Sequence, residues 1–343
     1  MNSWGELQLI HRRKQLIFDF ALILVLGAIP FLGTGIDGVI EPIDAMFPLD
    51  PQNFFSRILH AWYPYARFGT DASVAFLPSV PYYAPIAFLT FLGLPASLVQ
   101  RVWSVLVFSL QGWSMYYLAS ILPTGRNSRL ARLISAFFYM YNPVVIALMR
   151  AGGIEPLVFV YATAPLILGL FIKGVEHKTR ALNKYVPLIV LASLTQVVAN
   201  IQVTINQMIL PILYLVFYLL LQRSKGAFFH SFKFTLVVAS GFFLVNLWWI
   251  LPALNGFNWI YSTQYANLNF PKSLSQCSFS TFFNIGRLWL EVWPFESYYL
   301  STFGIMIGLF FAVLVYSALL LRFRDRYVLF FAASALVFTF LSR

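Results

Sequence analysis

Long apolar blocks run through the sequence, and short basic clusters separate them. The blocks cover residues 16–32, 102–122, 133–149, 157–172 and 186–199, followed by 208–221, 234–251, 298–321 and 328–341. A membrane-crossing helix needs ~17–25 predominantly apolar residues, and most of these blocks reach or approach that length. The pattern predicts an all-α, polytopic transmembrane helix bundle of about nine spans. One further apolar stretch, 81–98, is interrupted by Pro81, Pro85 and Pro95. Each of these prolines frees a backbone carbonyl that lipid cannot satisfy.

The basic clusters predict orientation. They are His11-Arg12-Arg13-Lys14 and the segments 126–132, 173–184, 223–233 and 322–326. If all of them face the cytoplasm, every block between them makes an even number of crossings. Residues 133–172 then form a hairpin turning at 150–155, and 186–221 one turning near 200–206. The block 234–321 goes out, forms a long external stretch and returns. Parity leaves no crossing for 81–98, which is expected to be interfacial or re-entrant; the competing reading is a tilted span that leaves one basic loop outside. The N-terminus is cytoplasmic on this reading, and the first block is a retained helix, since it lacks a small-residue cleavage site. Two non-spanning stretches fall on the outer side, about 33–101 and about 253–297, within a single module spanning 1–343. In the first, Asp50-Pro51 reads as a helix cap followed by a proline at the first helical position. Phe54, Phe55, Ile58, Leu59 and Trp62 then recur at helical spacing opposite Gln52, Asn53, Ser56, Arg57 and His60, which predicts an amphipathic interfacial helix.

Composition agrees with lipid as the main solvent. The 343 residues are 60% hydrophobic and only 10% charged, where a soluble domain carries about a quarter charged residues. The formal net charge of +11 is accounted for by the clusters between blocks, with no basic, aromatic-interleaved polar face of the kind that binds nucleic acid. The single cysteine, Cys277, excludes an internal disulfide and a multi-cysteine metal site.

Acids are scarce enough for their positions to matter: five of the 12 Asp and Glu, namely Asp37, Glu41, Asp44, Asp50 and Asp71, lie in the first external stretch. Asp37, Glu41 and Asp44 are four and three residues apart, so on a helical turn they would share one face. Carboxylates so placed can hold a divalent cation or act as a general base. Solvation of a loop leaving the membrane gives the same pattern, and spacing alone leaves both readings open. Glu155 sits in the second external turn beside Gly152-Gly153, where it could ligate or simply favour the start of the next helix. Arg150 could take a phosphate or anchor a helix end. In the second external stretch the cations are Lys272 and Arg287, among many aromatics. Asp19, one turn into the first block, is near enough to its basic end to reach water or to pair with Arg13 or Lys14. The sequence contains no phosphate-binding GxxxxGK[ST] loop, HExxH, GxSxG or dinucleotide fingerprint.

The segment Asp50-Pro-Gln-Asn-Phe-Phe-Ser-Arg-Ile-Leu-His60-Ala-Trp62-Tyr-Pro64, then Arg67-Phe68-Gly69, resembles the first loop of the large cell-wall α-(1→3)-arabinofuranosyltransferases. Gly93-Leu-Pro95 with Val99-Gln100-Arg101-Val-Trp103 is similar to the same family, as are Tyr139-Met-Tyr-Asn-Pro143, Glu155-Pro156 and Ala164-Pro165-Leu166. These matches run in order from about residue 44 to 170. Tyr63 stands where the family pattern has an acid, and Ala45-Met46 where it has Thr-Lys. The resemblance implies a GT-C glycosyltransferase that moves a sugar, a pentose such as arabinofuranose included, from a polyprenyl-phosphate donor to an extracytoplasmic glycan, lipid or protein acceptor. It implies an essential acid in the first external loop, to which Asp44 corresponds, and a second in the next external turn, matching Glu155. On this reading Asp44 is the catalytic base, and Asp37, Glu41 and Glu155 bind metal or acceptor. Arg150, Arg287 and Lys272 hold the donor phosphate. A divalent cation such as Mg²⁺ or Mn²⁺ would sit on Asp44 and Glu155. The rival readings are a lipid or sugar transporter, marked by polar residues buried mid-span, and a non-catalytic membrane scaffold.

Overall fold

The computed structural model describes residues 3–33, 38–40, 47–60, 62–63, 70–71, 76–122, 128–142, 145, 156–177, 181–195, 201–222, 224–264, 313, 317, 320–322 and 324–341. Helices dominate. In chain order they are α1 (Ser3–Ala28), α2 (Pro51–Ile58), α3 (Val80–Phe91), α4 (Ala96–Ile121) and α5 (Ser128–Met140). There follow α6 (Pro156–Glu176), α7 (Val186–Ser193), α8 (Ile201–Gln222), α9 (Lys225–Gln264) and α10 (Arg326–Leu341). A small antiparallel ribbon pairs β1 (Trp62–Tyr63) with β2 (Thr70–Asp71).

Proline and glycine punctuate these helices as their backbone limits require. Pro30 lies in the single 3₁₀ turn Ile29–Phe31 that ends α1. Asp50 caps α2 by accepting a hydrogen bond from Asn53 N at 3.1 Å, with Pro51 at the first helical position. After α3, Gly93 takes a left-handed φ of 88° and Pro95 holds an extended conformation at the head of α4. α5 ends just ahead of Asn142-Pro143, where the residue before proline is driven out of helical geometry.

α4 is the central post. Asp19 meets Tyr116, Ile23 meets Gly112 and Gly27 meets Ser109, so α1 runs antiparallel to it. α5 returns along the same helix, with Met140 against Gly112 and Tyr141 against Phe108 at 5.3 Å. α6 descends parallel to α4, from Phe159 beside Trp103 to Gly169 beside Tyr117. One buried cluster joins α1, α3, α4, α5 and the first half of α6. A second joins the lower half of α6 with α7, α8, α9 and α10 around Phe171, Tyr214, Phe234 and Phe330. α9 runs the length of the molecule, from Phe234 at Gly174 to Trp249 and Ala253 against Leu77.

Outward, many large apolar side chains stand exposed, such as Ile17 and Phe18 on α1 and Leu220 on α8. That surface suits lipid. Among the described residues three segments are long and apolar enough to cross a membrane: Arg13–Phe31, Val158–Glu176 and Lys225–Leu254. Shorter apolar helices cover Leu182–Ser193, Gln207–Gln222 and Arg326–Ala335. α4 has the length but carries Gln100, Ser104, Ser109, Gln111 and Ser114, all buried against protein. About nine spans were expected; most of the block 298–321 lies outside the described residues.

Several boundaries differ from the sequence expectation. α2 stops at Ile58, so Leu59 is its half-exposed C-cap and Trp62 belongs to β1. α8 is helical from Ile201, so residues 201–206, expected as part of a turn, are helix. α9 continues to Gln264, into what was read as external loop. α3 fits its non-spanning assignment: its 12 residues make about 18 Å of helix, well short of the ~30 Å hydrocarbon core.

Candidate functional site

At the head of α4 two polar side chains reach back to the segment 38–40 that follows α1. Gln100 is almost fully buried and its amide pairs both ways with one backbone residue. Ile40 N donates to Gln100 Oε1 at 2.7 Å, and Gln100 Nε2 donates to Ile40 O at 2.7 Å. Next to it, Arg101 Nη2 donates to Gly38 O at 2.9 Å, while Nη1 donates to Ser97 O at 2.8 Å. The backbone at 38–40 is thereby stitched to α4 across some sixty residues of sequence.

An aromatic floor supports this end. Phe54 of α2 meets Tyr83 edge-on at 4.9 Å, and Tyr82 meets Trp103 at 5.8 Å and Phe159 at 5.7 Å. Phe47 packs on the same cluster. The Tyr139–Asn142 corner is also at this end of α5. Asn142 Oδ1 accepts from Val145 N at 3.0 Å, and its Nδ2 donates to Tyr161 Oη at 2.8 Å. Tyr139 stacks on Tyr161 with centroids 4.2 Å apart and donates to Tyr161 O at 2.9 Å. This network fixes the end of α5 against the start of α6.

The predicted site residues Asp37, Glu41, Asp44, Arg150, Glu155, Lys272 and Arg287 all lie outside the described residues. The described neighbours of Asp37, Glu41, Asp44 and Glu155 share one end of the bundle. Gly38 and Ile40 sit on α4's first turns, Phe47 on the aromatic floor, and Pro156 opens α6. Among the described residues no group of three or more His, Cys, Asp or Glu forms a metal site. Gln100 and Arg101 were noticed only as part of a motif. The sequence signal for their role is an adjacent polar pair in the first turns of a helix whose later polar residues are mostly small serines.

The opposite end collects the basic clusters. Asp19 neither reaches water nor pairs with Arg13 or Lys14, the two alternatives its position left open. It is 1% exposed and takes Arg129 Nη2 at 2.7 Å and Tyr116 Oη at 2.7 Å. Its helical position faces α4 and α5, whereas Arg13 and Lys14 face outward. A second acid, Glu176, accepts from Tyr214 Oη at 2.6 Å and Tyr327 Oη at 2.8 Å and pairs with Arg326 at 2.9 Å. That network ties α6, α8 and α10. Mid-span, Asn246 is satisfied locally, donating to Phe242 O and accepting from Trp249 Nε1.

A family model described as alpha-(1->3)-arabinofuranosyltransferase, N-terminal GT-C domain, matches residues 45–260, more than half of the chain. The match begins one residue past Asp44, takes in Arg150 and Glu155, and ends before Lys272 and Arg287. Neither the curated proteins nor the solved structures yield a match.

Proposed function

This chain belongs to the family of alpha-(1->3)-arabinofuranosyltransferase N-terminal GT-C domains, and from that premise we propose that it moves a pentose, arabinofuranose first of all, from a polyprenyl-phosphate carrier to an extracytoplasmic acceptor. The class itself follows from the family: a membrane glycosyltransferase, acting on a sugar donor and a glycan acceptor. The donor lipid, the sugar and the nature of the acceptor as glycan, glycolipid or glycoprotein are the proposal.

In the proposed step the acceptor hydroxyl oxygen bonds to the anomeric carbon from the face opposite the phosphate. The bond from that carbon to the phosphate oxygen breaks, and polyprenyl phosphate leaves with the electron pair. Asp44 takes the hydroxyl proton as general base. Arg150, Arg287 and Lys272 hold the phosphate, on which charge develops in the transition state. Asp37, Glu41 and Glu155 orient the acceptor or share a cation with Asp44. A divalent cation such as Mg²⁺ or Mn²⁺ would neutralise the leaving phosphate there.

The observation that carries the reading is the clamp of Gln100 and Arg101 on 38–40. An acid-rich loop gains catalytic use only if its backbone is held, because positioning supplies much of an enzyme's rate. Here the segment between Asp37 and Glu41 is anchored to the central helix, in a chain of glycosyltransferase family. Asp44→Asn tests the assignment. Transfer from a polyprenyl-phospho-pentose is expected to fall by about 10²–10⁴-fold, the usual worth of a general base. Activity near that of the unmodified chain would remove Asp44 from the mechanism.

A further inference from the structure

A polar cavity of about 480 Å³ opens at the basic end of the bundle, away from Ile40 and Gln100. α1 contributes Gln15 and Asp19, α4 contributes Tyr116, and α5 contributes Ser128, Arg129 and Arg132. We propose that this cavity binds the phosphate group of an anionic membrane lipid.

Charge is the first support. Asp19 is engaged by Arg129 at 2.7 Å and by Tyr116 at 2.7 Å, so it offsets one guanidinium and no more. Arg132 donates its Nε to Ser128 O at 3.1 Å and lies over the Tyr116 ring at 4.9 Å. Among the described residues, neither terminal nitrogen of Arg132 nor Arg129 Nη1 meets a hydrogen-bond acceptor. Arg13 and Lys14 stand exposed immediately before Gln15. The local balance is positive, and guanidinium forks match phosphate oxygens in geometry as well as charge. The start of α5 opens on the same space, adding first-turn N–H groups without intrahelical acceptors.

The surroundings select a lipid over a free ion. Leu16 lines the cavity, and Ile17 and Phe18 of α1 and Leu130 and Ile134 of α5 are exposed on the helices that form it. An amphiphile whose chains lie on that surface brings its headgroup to Arg132, whereas inorganic phosphate gains nothing from it. The proposal does not depend on the transfer reading, because the cavity sits at the other end of α4.

The test uses the full chain in neutral detergent, with binding followed by microscale thermophoresis. The probes are dihexanoyl phosphatidic acid, dihexanoyl phosphatidylcholine and inorganic phosphate. The phosphatidic acid is expected to saturate and to bind at least about tenfold tighter than either other probe, and Arg132→Gln to weaken it about tenfold. Lys225→Gln, which removes the same charge from another basic cluster, is expected to leave binding unchanged. Thermal unfolding without lipid establishes that each variant is folded. If Arg132→Gln does not fold, Arg132→Lys takes its place and is expected to weaken binding several-fold, since it keeps the charge and loses the fork. Equal binding of phosphatidylcholine, inorganic phosphate as tight as the lipid, or equal weakening by Lys225→Gln would each overturn the proposal.

Discussion

Gln100 shows how one side chain can set the geometry of a loop. Its amide offers one acceptor and one donor, and Ile40 supplies the complementary pair. Each such bond contributes about 0.5–1.5 kcal/mol net, and leaving the backbone groups unpaired away from water costs more. Gln100→Leu keeps the volume and removes both bonds. Stability is therefore expected to drop by about 1–3 kcal/mol, with a larger proportional loss in kcat/KM than thermal unfolding alone explains. Unfolding in detergent and a transfer assay on the same preparation measure the two effects. Unchanged transfer would mean that the 38–40 clamp has no part in catalysis. The same scale shows what sequence reading reached. Asp50 as a helix cap was legible, because Asx-Pro at a helix start acts locally. The partners of Asp19 were not, because Arg129 and Tyr116 reach it across about a hundred residues of chain.

Helices in this bundle approach one another where they carry glycine. Gly27 and Gly112 admit Ser109, Met140 and Ile23 at the contacts of α1 and α5 with α4. Gly169 admits Tyr117 and Ile121 at 3.0 Å from where a Cβ would stand, and Gly241 admits Val190. At Gly174 a Cβ would collide with the ring of Phe234, which is fully buried and bounded by Phe171 and His230. Small residues allow such close approach where lipid supplies no hydrophobic drive between helices. Gly174→Val is expected to cost at least the 1–3 kcal/mol typical of overpacking, since a buried aromatic ring cannot swing aside. Gly33→Ala meets nothing within 4 Å and is expected to be neutral. Fluorescence-detected thermal unfolding compares the two, and equal midpoints would show that α6 and α9 separate at little cost. Helix existence was readable from apolar runs because lipid demands them. Helix extent was not: α9 starts at Lys225 and runs on to Gln264, since polar residues at its ends interrupt the hydrophobic signal but not the helix.

Across the whole molecule, charge divides the bundle by end. Arg129 and Arg132 sit by the lower turns of α1, Lys225 and His230 open α9 near Gly174, and Arg326 pairs with Glu176. At the far end lie α2, the aromatic floor and the anchored 38–40 segment. Parity of basic clusters predicts a two-ended arrangement from sequence, because the rule acts on short connecting segments that hydropathy delimits well. Asp44 and Glu155 lie outside the described residues, and the sequence around them carries no period that would fix their relation. The two-ended arrangement makes a direct prediction about orientation in the membrane. With Cys277, the single cysteine, changed to serine, Gln52→Cys places a thiol on the exposed face of α2, and Lys225→Cys places one at the exposed start of α9. A membrane-impermeant maleimide is expected to label the first in intact cells and the second only after permeabilisation. The two positions are separated by most of the length of α9, so they cannot both face one compartment if that helix crosses the bilayer. Labelling of both from outside would place α9 along the membrane surface and take the acceptor-facing site with it.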